Sequence, residues 1–195
     1  MLGRTHVVIA GALWAGVWWR PLILGSVVVT APHVPFGAEL PPALGSLAVV
    51  ALGALLPDLD HPGALLARLQ PAGTRGAWRY FRPLLIPSLA LRETFGHRGA
   101  LHSLAALIVV GMGAEYLGRA LGGAGLGMVI GWGYAAHLLA DMATRRGVPL
   151  FWPATRVRAG IPRSVAIRSG GFGEALYVAG VSAVAALHAA GALGG

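Results

Sequence analysis

The chain of 195 residues has no cysteine and no lysine. Without cysteine, disulfides and thiolate metal sites are excluded, so any metal must rest on histidine and carboxylate. Charge is scarce. Only 11% of residues are charged, where a soluble domain carries about 25%. HExxH is absent, which argues against an intramembrane zincin protease, and no GxSxG elbow marks a serine hydrolase. No inverted repeat relates the two halves in the manner of a transporter. The formal charge of +8 is carried by arginine alone. With no aromatic–basic interleaving and no known binding motif, no nucleic acid partner is expected.

What is present is apolar. Hydrophobic residues make up 56% and the mean hydropathy is +0.69, a composition that points to a bilayer and to membrane lipid as a partner. The N-terminus, "MLGRTHVVIAGALWAG", resembles a signal peptide. Its apolar run continues past Trp18 and Trp19 without a clear A-x-A site, so it reads as a retained transmembrane segment.

Five segments approach the ~20 residues that span ~30 Å of hydrocarbon. They run from about Thr5 to Thr30 (interrupted by Arg20-Pro21), Pro42 to Leu56, His102 to Leu121, Ala124 to Met142 and Gly173 to Leu193. The first is expected to be a tilted or kinked helix, or a short helix plus a re-entrant piece. The expected fold is therefore all-α: one integral-membrane domain over 1–195, a polytopic bundle of about five transmembrane segments with two long loops.

Arginine orients it. Asp58–His102 contains Arg68, Arg75, Arg79, Arg82, Arg92 and Arg98, and Ala143–Phe172 contains Arg145, Arg146, Arg156, Arg158, Arg163 and Arg168. The opposite connections, "APHVPFGAELPP" and "LGGAG", contain none. By the positive-inside rule both long loops and the N-terminus face the cytoplasm, giving a multi-pass protein of the cytoplasmic (inner) membrane.

The chemistry-bearing residues then fall at one membrane face. His6 opens the first span. Asp58, Asp60 and His61 follow the second in "LLPDLDHP", where Pro57 should end the helix and leave both carboxylates pointing one way from an extended segment. This suits a divalent cation, or merely an Asp turn or cap. His97, Arg98 and His102 precede the third span in "GHRGALHS", where the alternative is a polar cap at His102 or Ser103. His137 and Asp141 in "HLLAD" share one helical face. They are either a local pair or ligands joining Asp58, Asp60, His102 and His6 around one or two metals. Mixed His/carboxylate ligation fits Zn, Mn or Fe. Arg98, always protonated, cannot ligate and suits a clamp on phosphate or carboxylate.

"TH" at 5–6, "GALLPDLDHP" at 53–62, "HRGALHS" at 97–103 and "GYAAHLLADMATRRGVPLFWP" at 133–153 resemble the motif series of the YdjM family of bacterial membrane-bound, metal-dependent hydrolases. Leu101 stands where that family has threonine. The pattern is also distantly similar to the zinc-dependent phospholipase C and P1 nuclease group. The resemblance implies a divalent metal, with zinc first, on His6, Asp58, His102, His137 and Asp141. Asp60 would then act as general base or orient a histidine, with Arg98 and His97 assisting catalysis on a phosphoester or lipid-linked substrate. The competing reading is a non-enzymatic membrane protein, serving ion binding, transport or scaffolding, whose His/Asp cluster is structural. Oligomeric state is not legible.

Overall fold

A computed structural model describes residues 3–19, 22–24, 27–29, 42–61, 64–65, 83, 85–95 and 99–191. The architecture is helical: α1 (Gly3–Trp19), α2 (Pro42–Leu55), α3 (Leu85–Phe95), α4 (Leu104–Ala120), α5 (Leu126–Met142) and α6 (Phe172–Ala189). Four of the expected apolar segments are single helices, α2, α4, α5 and α6. The first is divided. α1 stops at Trp19, shortly before Pro21 in the sequence, as the steric demands of proline on its predecessor favour. Leu22–Leu24 and Val27–Val29 then pair antiparallel, Ile23 opposite Val28, in keeping with the strand preference of β-branched residues. α3 was not expected. It begins at Leu85 with Pro87 in its first turn, where a missing N–H costs nothing.

α5 is the central helix, packed against α1, α2 and α4, while α6 packs on α1. Its buried residues run from Gly127 through Gly133, Tyr134 and His137 to Asp141. Two glycines set the crossing with α2: a Cβ at Gly53 would overlap the Ile130 carbonyl oxygen, and one at Gly133 the Val50 carbonyl oxygen. This is the close backbone approach that small residues permit. Nearby, the Trp14 indole N–H donates to Ser46 Oγ at 3.0 Å, joining α1 to α2, and Trp14 meets Trp132 edge-on. Ala10, Val50, Ala54, Val129 and Ala136 complete this core.

The turn from α4 to α5 is closed by Glu115. Its Oε2 accepts the Gly125 and Gly127 N–H groups at 2.9 and 3.2 Å, and its Oε1 takes Arg119 Nε at 3.0 Å. Glu115 and Arg119 thus form an i, i+4 ion pair, and the carboxylate also caps α5. Beyond α5 the chain folds back under the helix end: Ile161 N–H donates to Met142 O, Ile167 N–H to Ala143 O, and Leu104 N–H at the start of α4 to Leu150 O.

Large apolar side chains face outward on α4 (Ile108, Val109, Met112, Leu117) and α6 (Phe172, Leu176, Val184, Leu187). Among the described residues, α6 is the one helix long and apolar enough to cross a membrane by length and composition.

Candidate metal centre

Four chain segments meet where the start of α1, the end of α2, the start of α4 and the end of α5 come together. His6 lies on the first turns of α1 and is fully buried. α2 does not give way to an extended segment after Pro57. A 3-10 turn, Leu56–Asp60, continues it, because proline in a first helical turn needs no N–H partner. Asp58 and Asp60 therefore do not point the same way. They address opposite nitrogens of one imidazole, with Asp58 Oδ1 at 3.7 Å from His102 Nε2 and Asp60 Oδ2 at 3.9 Å from His102 Nδ1. α3 packs over this turn.

His102 ends its own short 3-10 turn, Ala100–His102. The N-cap of α4 is Ser103, whose Oγ accepts the Ala106 N–H at 3.2 Å and donates to Ala100 O at 2.6 Å. With Ser103 meeting the capping requirement, His102 is turned inward and buried. On α5, His137 and Asp141 lie one turn apart on the inner face, both fully buried.

His137 Nε2 stands 3.8 Å from Asp58 Oδ1 and 3.9 Å from Asp141 Oδ2, and His102 Nε2 stands 3.7 Å from Asp141 Oδ2. His6 Nε2 approaches the other oxygen of Asp141, Oδ1, at 3.4 Å. These separations exceed the roughly 2.7–3.2 Å usual for an N–H···O bond. They sit slightly above the ~3.3 Å between donors that tetrahedral zinc with bonds of ~2.0–2.1 Å would set. Neither nitrogen of His6 nor Nε2 of His137 has a hydrogen-bond partner among the described residues. Buried polar atoms are rarely left so. Two triads, His6–His137–Asp141 and Asp58–His102–His137, have donor atoms within 4.8 Å of one another and could each hold a metal ion. Oxygen and imidazole donors without sulfur fit a divalent cation of the zinc, manganese or iron kind.

The surroundings orient these donors. His137 Nδ1 is 2.7 Å from Ala54 O. A carbonyl only accepts, so Nδ1 carries the proton and Nε2 turns its lone pair to the cluster. The Tyr134 hydroxyl donates to Leu101 O, binding the turn that carries His102 to α5. Thr144 Oγ1 donates to Asp141 O at 2.7 Å, closing the end of α5. Burial acts to raise the pKa of Asp58, but contact with His102, reinforced by His137 and His6, holds it well below the usual carboxylate range. The charged, ligating form is favoured.

Of the residues proposed from sequence, His6, Asp58, His102, His137 and Asp141 come together with Asp60 beside them. The paired-aspartate direction is corrected as described. His61 is exposed, and His97 and Arg98 lie outside the described residues. Sequence reasoning missed Tyr134, Ala54 and Thr144 as supports. Tyr134 precedes His137 by three, the same-face helical spacing, and that signal could have found it. A backbone carbonyl such as that of Ala54 leaves no trace in sequence.

The chain has relatives among known proteins. The family described as YdjM inner membrane protein matches residues 1–193. The inner membrane protein YdjM of Escherichia coli (strain K12) is 38% identical over 127 residues, 60% of this chain and 56% of that protein; its namesake from Shigella flexneri gives the same figures. The matched region thus spans about half the length of those relatives. The uncharacterized protein YvsG of Bacillus subtilis (strain 168) is 30% identical over 183 residues, 93% of this chain and 90% of its own. No solved structure matches.

Proposed function

The chain belongs to the YdjM family of inner membrane proteins, and we propose that it is a membrane-bound, metal-dependent hydrolase with a centre facing the cytoplasm. One observation carries the reading: His6, Asp58, His102, His137 and Asp141, from four segments, converge in one largely buried cluster in which His6 and the Nε2 of His137 have no hydrogen-bond partner among the described residues. Such a cluster is costly in an apolar bundle, and a cation offsets that cost.

A divalent cation held there supplies Lewis acidity and lowers the pKa of its water toward neutrality. Asp58, His102, His137 and Asp141 bind it. The Ala54 carbonyl fixes the His137 tautomer, and Asp60, on the Nδ1 side of His102, orients that ring and accepts its proton. Asp58, with a 15% exposed side chain where the other donors are sealed, is the side of entry. Arg98, from the same turn region in sequence, is assigned to the substrate anion, with His97 as proton donor.

The outward apolar faces of α4 and α6 support contact with lipid acyl chains. We assign α1, α2, α4 and α5 as further spans. α1, α4 and α5 have 17 residues each, rising about 25 Å, and α2 has 14, prolonged by the Leu56–Asp60 turn, against ~30 Å of hydrocarbon, a mismatch a locally thinned bilayer absorbs. The exposed arginines 145, 146, 156, 158, 163 and 168 favour a cytoplasmic loop. Together these features support a phosphoester or lipid-linked substrate entering from the inner leaflet.

One feature favours the non-enzymatic alternative: four protein donors closing on zinc would complete a tetrahedral, structural site with no open position. The readings separate by experiment. Protein purified without chelator is analysed for bound metal and assayed on phosphoester, phospholipid and peptide substrates, beside H137A and D141A. The enzyme reading expects stoichiometric metal and turnover, both lost in the folded variants. Absence of any stoichiometric metal overturns it, and metal without turnover supports the structural site.

A further inference from the structure

The hydrolase reading requires a cation but leaves the number open. We infer that the centre is binuclear: Asp58, His102, His137 and Asp141 hold one divalent cation, His6 holds a second, and the Asp141 carboxylate bridges the two. This rests on the metal-dependent reading above.

The two oxygens of Asp141 face different imidazoles. Oδ2 stands 3.7 and 3.9 Å from the Nε2 atoms of His102 and His137, while Oδ1 stands 3.4 Å from Nε2 of His6. His137 cannot serve both positions, because its Nδ1 is engaged with Ala54 O at 2.7 Å and Nε2 has one lone pair. The two triads that share His137 therefore cannot both be filled as triads.

Nor can His6 join the cation held by His137. The two rings are stacked, with centroids 3.6 Å apart and planes inclined by 19°. An imidazole lone pair lies in its ring plane, and planes so disposed intersect only about 10 Å away, far beyond a metal–nitrogen bond of ~2.0–2.1 Å. Parallel rings instead direct their lone pairs side by side. Cations on the two Nε2 atoms would lie about one stacking distance apart, in the range of ~3.5–4 Å of known two-metal sites. A carboxylate with one oxygen toward each is the bridge such pairs use. His6 is otherwise uncommitted, being fully buried with neither of its nitrogens hydrogen-bonded among the described residues.

The positions are unequal. The first has four protein donors. The second has, among the described residues, His6 and one oxygen of Asp141, and fills its remaining coordination with water or substrate oxygen. It is the weaker and more exchangeable.

The test uses the full chain in detergent, stripped with chelator, dialysed and titrated with Mn²⁺ alone. Bound metal is counted by elemental analysis, and the low-temperature electron paramagnetic resonance spectrum is recorded. Two Mn²⁺ per chain are expected, the second bound at least tenfold more weakly and exchange-coupled to the first. H6Q, which keeps a polar side chain in the core, and H6A should each bind one Mn²⁺ with an uncoupled spectrum and the tight affinity within a few-fold of the parent. Circular dichroism checks the fold, and H6Q decides where H6A does not fold. One Mn²⁺ in the parent, or two coupled Mn²⁺ in H6Q, overturns the binuclear assignment and leaves the hydrolase reading standing. No bound Mn²⁺, Zn²⁺ or Fe²⁺ in the parent overturns both.

Discussion

Asp58 and Asp141 converge on a single atom: each places a carboxylate oxygen 3.7 Å from Nε2 of His102. One comes from the turn after α2, the other from the last turn of α5. Two carboxylates brought to one imidazole repel each other unless positive charge lies between them.

Charge neutralisation at Asp141 should therefore separate binding from folding. D141N keeps the shape of the side chain and removes its charge. We expect metal affinity to fall by well over the roughly 10–100-fold that loss of an outer partner costs, with the fold retained. Isothermal titration with Zn²⁺ measures it, and an unchanged affinity would remove Asp141 from the ligand set.

Tyr134 is nearly fully buried and holds the Leu101 carbonyl. Y134F leaves that acceptor without its donor, a loss of about 1–3 kcal/mol. Its thermal midpoint in detergent should fall. Because the same bond positions the His102 turn, its Zn²⁺ affinity should fall about tenfold as well. A lowered midpoint with parental affinity would reduce Tyr134 to a packing role.

At the α2–α5 crossing, G133A forces a methyl into the Val50 carbonyl. Backbone must shift, and overpacking of this kind costs about 1–3 kcal/mol. G113A, on α4 where a Cβ meets nothing within 4 Å, should be neutral or slightly stabilising, since alanine is the better helix former. Equal thermal midpoints for the two variants would contradict the close crossing.

Chelation should lower the thermal midpoint of the parent protein. A ligand at a hundredfold excess over its Kd adds about 2.7 kcal/mol to the folded state, and that increment is withdrawn on treatment with a chelator and restored by Zn²⁺. H102A should show neither the fall nor the recovery.

Much of the fold was legible in sequence. Hydrophobic run length located α2, α4, α5 and α6, because a helix in an apolar setting must satisfy its own backbone and so extends as far as its apolar residues do. The end of α1 was marked by Arg20-Pro21, but whether a kink or a hairpin followed was not, since strand pairing depends on a partner segment that local propensity does not identify. α3 went unseen for a related reason. Its residues carry no strong periodic signal, and its place is set by packing on the Leu56–Asp60 turn.

The candidate site was legible in its residue types. With no cysteine available, only histidine and carboxylate could form it, and His137 and Asp141 share a face by helical geometry alone. The direction of Asp58 and Asp60 was not, because the backbone after Pro57 has two allowed continuations, extended or a further helical turn, and local sequence does not choose between them. Sequence determined the apolar helices, the residue types able to hold a cation and their gathering toward one end of the bundle, all consequences of composition and local spacing. Only the tertiary structure decided which nitrogen meets which oxygen, that Asp60 stands behind His102, and that His6 stacks on His137. Those relationships are distances between chain segments far apart in sequence, fixed by the crossing of α1, α2, α4 and α5, and no local periodicity encodes them.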